Sequence, residues 1–389
     1  ISPVPHILKA GLAQQSGHRG RRVLVRIFGQ NPLAFGKLSM GDVDGAAQSA
    51  VMSMNEPPAM DNTPVFPSAQ PAAAELDVKR QPLTLSLPSV SEPWRYALAY
   101  GRLALGSLIG PHRLRPQGLR AYHAPVHITP RLANRWRALF DVPSRATATV
   151  PLLANQSVGT LLHSQLFADL GINLRHLMHL HHRTVHHASV ADCATARQQQ
   201  LRCRVQRLRR VGEDRVLVDV QTQVLAPDGT LLSVVEDGFL VRGLPGADLA
   251  PLTADRSLLR DVLGLRRRLP RLSTRDGQAR VSAMAVPHGM GLDYGRISGD
   301  LNSVHTSTLG AWLFGLKRPF LQGLALRNLV VRHLVELGAS VEHLGLTFAS
   351  PAHLGQMLLL LVDNGALEVH DARGRLVAYG ACGRGGGEA

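Results

Sequence analysis

The sequence predicts an α+β fold in which one architecture occurs twice, an antiparallel sheet wrapped around a single helix. Two amphipathic segments, 155–171 and 322–338, each end in a Leu-Gly pair. Several strand-like runs separated by turns follow each segment. The chain has 389 residues, which is more than one small domain needs. Two similar units are therefore expected.

Each predicted helix carries its apolar residues on one stripe, as a helix does when one face packs against a sheet. The stripes consist of Val158, Leu161, Leu162, Leu166 and Leu170 in the first helix and of Leu326, Leu329, Val330, Leu334 and Leu337 in the second. Asn328, Arg332 and Glu336 are expected on the opposite, polar side of the second helix. Gly171 and Gly338 stand where a left-handed residue ends a helix.

Strands are expected after both helices. After the first helix the runs are 202–208, 215–225 and 231–242, with the turn Pro227-Asp-Gly229 between the last two. After the second helix they are 345–348, 356–363, 366–370 and 376–382. One helix followed by antiparallel strands, occurring twice, is the composition of a duplicated hot-dog fold.

The domain organisation follows from where this periodicity begins and ends. Residues 1–90 show no sustained period and are expected to be disordered, or to be an extension or tag. Residues 91–245 are the expected first unit, with a further helix at Trp94–Leu108. Residues 246–275 are the expected linker, and residues 276–385 are the expected second unit.

Composition limits the classes of partner. The net charge of +15 fits a nucleic acid, an anionic membrane surface, or an acidic substrate or carrier such as an acyl carrier protein. An aromatic content of 4% argues against a surface that stacks nucleobases, so nucleic-acid binding ranks last. No apolar run is long enough for a membrane span.

Cysteine and histidine usage favours a protein without metal or redox cofactor. Cys193, Cys203 and Cys382 form no CxxC pair, which argues against a disulfide framework and favours a reducing cytoplasm. The stretch His176–His187 has spacings that suit zinc on a helix. However, no carboxylate or cysteine lies at a matching spacing, and the duplicated pattern predicts a strand there.

The most concentrated polar chemistry lies in Tyr294–His305, which we interpret as a loop. It holds a carboxylate, an amide, two serine hydroxyls and an imidazole within twelve residues. Asp300 and His305 are a natural pair for moving the protons of one shared water. The alternative is a simple turn, because Ser, Gly, Asp and Asn are turn formers. Turn preference does not account for His305 or for the pair Gln322-Gly323 at the second helix.

The segment Tyr294-Gly-Arg-Ile-Ser-Gly-Asp-Leu-Asn-Ser-Val-His305, followed by Phe314-Gly-Leu-Lys-Arg-Pro-Phe-Leu-Gln-Gly323, carries a family resemblance. It resembles the signature of the MaoC-like, or hydratase 2, family of (R)-specific enoyl-thioester hydratases and 3-hydroxyacyl-thioester dehydratases. The resemblance covers roughly residues 275 to 385. Residues 120 to 245 resemble the degenerate first hot-dog unit of two-domain members, which would complete a tunnel for the acyl chain.

The resemblance implies a role for each matching residue. Asp300 and His305 would hold and polarise one water, Asn302 would fix the loop or the water, and Gly323 would offer its N–H to the thioester oxygen. The reaction passes through an enolate-like state, so a donor at that oxygen is needed. A helix N-terminus supplies such donors, and glycine lets the substrate approach closely.

Other positions are expected to support this site. Tyr294 and Ser298 would brace the loop. The chain departs from the family at Ser303, where proline is usual, and at Gln322, where histidine is usual. Neither change replaces a proton-transfer group, so they affect loop rigidity and the shape of the thioester pocket.

Several cations are candidates for contacting the phosphates of coenzyme A or an acidic carrier. They are Arg296, Lys317, Arg318, Arg327 and Arg332. The alternative is that these charges simply face solvent, as charges on helix surfaces commonly do.

The expected protein is a cytoplasmic lyase, monomeric or homodimeric, of fatty-acyl or polyketide-type metabolism. It would reversibly hydrate a trans-2-enoyl thioester of coenzyme A or acyl carrier protein to the (3R)-3-hydroxyacyl thioester. Two alternatives keep the same fold. One is a thioesterase, and the other is a non-catalytic subunit that binds acyl thioesters.

Overall fold

The fold is that of a computed structural model, in which residues 83–84, 112–115, 121–250, 252 and 279–384 are described. The predicted helix Trp94–Leu108 and nearly all of the expected arm 1–90 lie outside these residues. So does most of the expected linker 246–275.

The first half of the chain contains six strands and four α-helices among the described residues. The strands are β1 (Leu83–Thr84), β2 (Ala121–His127), β3 (Leu177–His186), β4 (Gln198–Arg210), β5 (Arg215–Leu225) and β6 (Leu231–Arg242). The helices are α1 (Pro130–Leu139), α2 (Gln156–Asp169), α3 (Val190–Thr195) and α4 (Gly246–Leu249).

The second half has five strands and four α-helices in the described residues. The strands are β7 (Arg280–Val286), β8 (His343–Phe348), β9 (Gln356–Asp363), β10 (Ala366–Asp371) and β11 (Leu376–Gly383). The helices are α5 (Met290–Ser298), α6 (Ser303–Thr306), α7 (Thr308–Leu313) and α8 (Gly323–Glu336).

The strands form one sheet in the order β1-β2-β4-β5-β6-β3-β8-β11-β10-β9-β7. Leaving β1 aside, the second half repeats the order of the first in reverse around the pair β3–β8. Strands β3 and β8 run antiparallel, with Arg183 opposite Gly345. Every pairing except β1–β2 is antiparallel. The predicted duplicated architecture is confirmed.

Most predicted elements occur where the periodicity places them. The strands at 215–225, 231–242 and 356–363 have the predicted bounds, and the histidine-rich stretch forms β3. Both central helices, α2 and α8, end within two residues of the predicted positions. The sequence did not predict α1, α3, α5, α6, α7, β7 or the short strand β1, which lies within the arm expected to be disordered.

The expected polar side of α8 holds at Glu336, which is exposed, and fails at Asn328. Asn328 and Arg327 are fully buried, although Asn328 was assigned to the polar face and Arg327 to a phosphate contact. Residues from the first half cover this face. Arg327 Nη1 donates to the Pro151 carbonyl over 2.8 Å, and Asn328 Oδ1 accepts from the Leu153 N–H over 3.3 Å. Helix α8 is therefore enclosed by both halves.

Buried histidines make the stability of this fold depend on pH. Burial lowers the pKa of His182 to about 4, against an opposing effect of Asp237. Burial and the Arg327 charge lower the pKa of His186 to about 3. An unfolded histidine has a pKa near 6.5, so below that pH the unfolded chain binds more protons than the folded one.

We therefore expect stability to be fully present above about pH 6.5 and to fall as the pH is lowered toward 4. Each pKa unit of depression corresponds to about 1.4 kcal/mol for one fully buried imidazole. Thermal unfolding followed by circular dichroism across this range measures the effect. His186→Gln should make the decline shallower, and a melting temperature that stays constant would contradict the prediction.

Candidate active site

The segment Tyr294–His305 is not one continuous loop, contrary to its interpretation from sequence. Its first residues form the C-terminal half of α5, which ends at Ser298 and is followed by Gly299 in the left-handed conformation (φ 80°). Asp300 follows in the turn, and Asn302 begins α6. Glycine suits this turn because a side chain at positive φ is strained.

Tyr294 and Ser298 support the turn from the protein interior. The Tyr294 ring is buried and meets Trp136 and Phe140 edge to face, with centroids 5.5 and 6.3 Å away. Burial and the nearby Asp300 carboxylate raise the pKa of Tyr294 well above its ordinary value. The buried Ser298 hydroxyl accepts from the Asp300 N–H over 3.2 Å.

Local hydrogen bonds hold the candidate acid and base, and Asp300 Oδ1 accepts from the Asn302 N–H over 3.4 Å. Asn302 Oδ1 accepts from the Val304 N–H over 3.3 Å and so caps α6. His305 Nδ1 lies 2.8 Å from the Phe320 carbonyl oxygen. A carbonyl only accepts, so Nδ1 carries the hydrogen and Nε2 of the neutral ring keeps its lone pair. His305 is thus in the tautomer that leaves Nε2 able to take a proton.

The chain just before α8 binds both ends of this turn. The amide nitrogen of buried Gln322 donates to the Gly291 carbonyl over 3.0 Å and to the Asp300 carbonyl over 3.1 Å. Phe320, two residues earlier, holds His305. Asp300 and His305 are therefore both anchored beside the start of α8. A glutamine at position 322 has a direct structural role here.

Two glycines of α5, whose role the sequence analysis missed, allow this close packing. A Cβ atom on Gly291 would lie 2.0 Å from the His305 carbonyl oxygen, and one on Gly295 would lie 2.7 Å from the Asp300 carbonyl oxygen. The two positions are four residues apart and so share one helix face. Their spacing of four residues, at the beginning of the polar motif, was the available sequence signal.

The start of α8 offers unpaired donors. No side chain of the described residues caps the helix at Gln322. The first N–H groups of a helix have no partner within it and carry positive potential. The glycine at 323 has a packing cause, since a Cβ there would lie 3.0 Å from His179 Nδ1 and 3.1 Å from the Phe348 ring. Packing of these two side chains against the Cβ side of residue 323 therefore accounts for the glycine.

A second group of titratable side chains comes from the first half of the chain. Asp237 Oδ1 lies 2.9 Å from His179 Nε2 and 2.8 Å from His182 Nδ1, and His182 Nε2 lies 2.7 Å from Thr184 Oγ1. Burial opposes the ionisation of Asp237, but the two imidazoles outweigh it and hold its pKa well below the ordinary value.

The carboxylate that is missing at a matching spacing within the histidine-rich stretch is supplied by a neighbouring strand. Asp237 stands opposite His182 in the β3–β6 pairing. The three potential metal-ligand atoms lie within 4.8 Å of one another. Hydrogen bonds among these groups account for their proximity.

Solved structures with similar folds were found by comparison. HtdX of Mycobacterium tuberculosis is 17% identical with a TM-score of 0.50, covering 67% of this chain and 98% of that one. A MaoC-like dehydratase from Phytophthora capsici is 16% identical with a TM-score of 0.50, covering 74% and 99%. Another MaoC-like dehydratase is 13% identical with a TM-score of 0.51, covering 68% and 97%. This chain has the MaoC-like hot-dog fold.

The resemblance inferred from the motif is confirmed at the level of the fold. No family model matches the chain, and no curated protein matches it. Sequence identities this low support a shared fold only. The reaction must therefore be inferred from the geometry of the site.

In this MaoC-like fold the candidate phosphate contacts differ in accessibility. Arg296 is exposed and pairs with an aspartate of its own helix over 3.6 Å. Lys317 and Arg318 are exposed on the segment before α8. Arg327 is buried and cannot reach a bound phosphate. Arg332 bonds to the Asp141 carbonyl and to Glu336.

A cavity lies at the start of α2, in the half expected to complete the acyl tunnel. Pro151, Asn155 and His186 are among its lining residues, whereas Asp300 and His305 do not line it. No helix in the described part of the chain is long and apolar enough to cross a membrane.

Replacing Gln322 by leucine should destabilise the fold, because the buried carbonyl of Gly291 and the partly buried carbonyl of Asp300 would lose their donor. The expected loss in the free energy of unfolding is about 1–3 kcal/mol. Urea denaturation measures it. Gln200→Leu, at an exposed strand position, is the control and should change stability by less than about 0.5 kcal/mol. Equal stability of both variants would contradict the assigned role.

Proposed function

We propose that the protein is a hydro-lyase that interconverts trans-2-enoyl thioesters and (3R)-3-hydroxyacyl thioesters. The observation that carries the proposal is the anchoring of Asp300 and His305 beside the uncapped start of α8. Gln322 holds the carbonyl of Asp300, and the Phe320 carbonyl fixes the tautomer of His305. An acid–base pair thereby adjoins an electropositive helix end.

The chemistry assigns a task to each group. The thioester oxygen lies at the N–H of Gly323, where the developing enolate is stabilised, and one such donor is typically worth about 3 kcal/mol. A water is held between Asp300 and His305. His305 Nε2 accepts a proton as the water oxygen bonds to C3, and the pair returns a proton to C2. Dehydration follows the same steps in reverse.

The surrounding surface suits a substrate with a phosphate-bearing arm. Lys317 and Arg318 are exposed close to the start of α8, and Arg296 lies on α5. Trp312 and Leu313, on the same connection as the two cations, are each 68% exposed. We infer that coenzyme A or an acyl carrier protein docks here, its phosphates on the cations.

The similar solved structures support this choice of reaction class. Two of those reported above are described as MaoC-like dehydratases. Because the motif lies within residues 276–385, the second half is the proposed catalytic unit. The first half supplies the strand that completes the sheet beside α8.

Asp300→Asn and His305→Ala should each lower kcat/KM for hydration by about 100- to 10,000-fold, the usual contribution of an acid–base group. Loss of absorbance of the conjugated double bond of trans-2-decenoyl-coenzyme A measures the rate. Asp293→Asn and His288→Ala, both at exposed positions of the same half, are the matched controls and should retain activity.

The assay also separates the alternatives. Full activity in either active-site variant would show the assignment to be wrong. Release of free thiol without loss of the double bond would indicate a thioesterase. Tight binding of the thioester with no turnover by the wild-type protein would indicate an acyl-binding subunit.

Charge reversal at the proposed docking surface should weaken substrate binding without altering the chemistry. The double variant Lys317→Glu, Arg318→Glu should raise KM for enoyl-coenzyme A several-fold and leave kcat unchanged, and added salt should raise the wild-type KM. Arg202→Glu, exposed on β4, is the control. An unchanged KM in the double variant would exclude these two cations as phosphate contacts.

A further inference from the structure

We propose that His179, a residue of the first half, contacts the thioester bound at the start of α8. It would accept a hydrogen bond from a donor group of that ligand. The active site is then composite, with its proton-transfer pair from one half and a binding residue from the other. The proposal rests on the proposed function in one respect, that an acyl thioester binds at this helix end.

An irregularity in β3 gives His179 its direction. The register between β3 and β6 shifts between His179 and His181, so that Phe239 stands opposite the first and Gly238 opposite the second. Side chains alternate between the faces of a regular strand, which would send His179 and His182 to opposite sides. The bulge instead lets both reach Asp237. Bulges commonly re-aim a side chain next to a functional site.

Hydrogen bonding determines which nitrogen of His179 is free. Asp237 is ionised and only accepts, so His179 Nε2 carries the hydrogen that points to it. In the neutral ring Nδ1 then has a lone pair. A carboxylate that fixes the tautomer and orientation of an imidazole in this way is the arrangement that other enzymes use to present a working nitrogen.

The free nitrogen lies beside the start of α8. His179 Nδ1 lies 3.0 Å from the position of a Cβ on Gly323. The ring is stacked on Phe239, with centroids 4.8 Å apart, and tilted against Phe348 at 4.9 Å. The side chain keeps 17% of its surface exposed, whereas His182 and Asp237 keep 0% and 1%. Of the three, His179 is the member open to a ligand.

A purely structural role leaves this arrangement unexplained. His182 already bonds to Asp237, and its other nitrogen lies beside Thr184. Burying an ionised carboxylate costs several kcal/mol, which an apolar pair in the same place would avoid. This energetic cost has a functional explanation if Asp237 orients His179 for binding the ligand. The donors left on the ligand are the amide N–H groups of the pantetheine arm, because the C3 hydroxyl has a single hydrogen, which it donates within the proposed Asp300–His305 pair.

Two substitutions of His179 distinguish the role of Nε2 from that of Nδ1. Glutamine at 179 can still donate to Asp237 from the position of Nε2 but has no atom to replace Nδ1. Asparagine places a polar atom near Nδ1 and loses the donor to Asp237. His187→Gln, at an exposed position beyond the end of β3, is the control. Calorimetry measures the dissociation constants of decanoyl-coenzyme A and (3R)-3-hydroxydecanoyl-coenzyme A, and thermal unfolding checks each fold.

We expect His179→Gln to weaken binding about tenfold and to raise KM for trans-2-decenoyl-coenzyme A similarly, with an unchanged melting temperature. His179→Asn should recover part of the affinity, and His187→Gln should match the wild type. Weakening of both ligands identifies the pantetheine amide as the donor. Weakening of the hydroxyacyl ligand alone would contradict this assignment, because the C3 hydroxyl would then donate to His179 and not within the Asp300–His305 pair.

The inference would be overturned if His179→Gln bound both ligands as tightly as the wild-type protein does. In that case, hydration of the enoyl thioester by the wild-type protein would still support the proposed reaction. Binding that depends on His179 without any hydration by the wild type would support the inference and refute the reaction. Failure of the wild type to bind either ligand would refute both. Stoichiometric zinc that survives dialysis and is absent from Asp237→Asn would also overturn it, because the metal would occupy Nε2.

Discussion

The pairing of β3 with β8 is the constraint on which the rest of the molecule depends. It joins two antiparallel half-sheets into one sheet, in which the strand orders of the two halves mirror each other about this pair. Because β3 and β8 are neighbours, His179 and Phe348 meet at Gly323. The start of α8 therefore receives groups from both halves, which two separate units would not provide.

Polar contacts then position this helix within the paired sheets. Arg327 and Asn328 bond to the segment 151–153 of the first half, so α8 cannot shift without losing buried hydrogen bonds. Gln322 and the Phe320 carbonyl connect the helix start to Asp300 and His305. The proposed reacting groups and the first N–H groups of α8 are thereby connected by hydrogen bonds, as the preorganised oxyanion site that we propose would require.

Local patterns in the sequence were sufficient for much of the fold and for the motif. Helix stripes, strand runs and the pair Asp300 and His305 are properties of short segments. What escaped prediction depends on distant partners: the burial of Arg327 needs the first half beside it, and the contact of His179 with Asp237 needs both the β3–β6 register and a bulge. The sequence of the histidine-rich stretch by itself predicts neither this register nor this bulge.

The most direct test is a crystal structure of the protein with a (3R)-3-hydroxyacyl-coenzyme A bound. We expect the thioester oxygen within hydrogen-bond distance of the Gly323 N–H, the C3 hydroxyl between Asp300 and His305 Nε2, and a ligand donor at His179 Nδ1. A ligand whose thioester lies instead in the cavity at the start of α2, away from Asp300 and His305, would contradict the assignment of the active site.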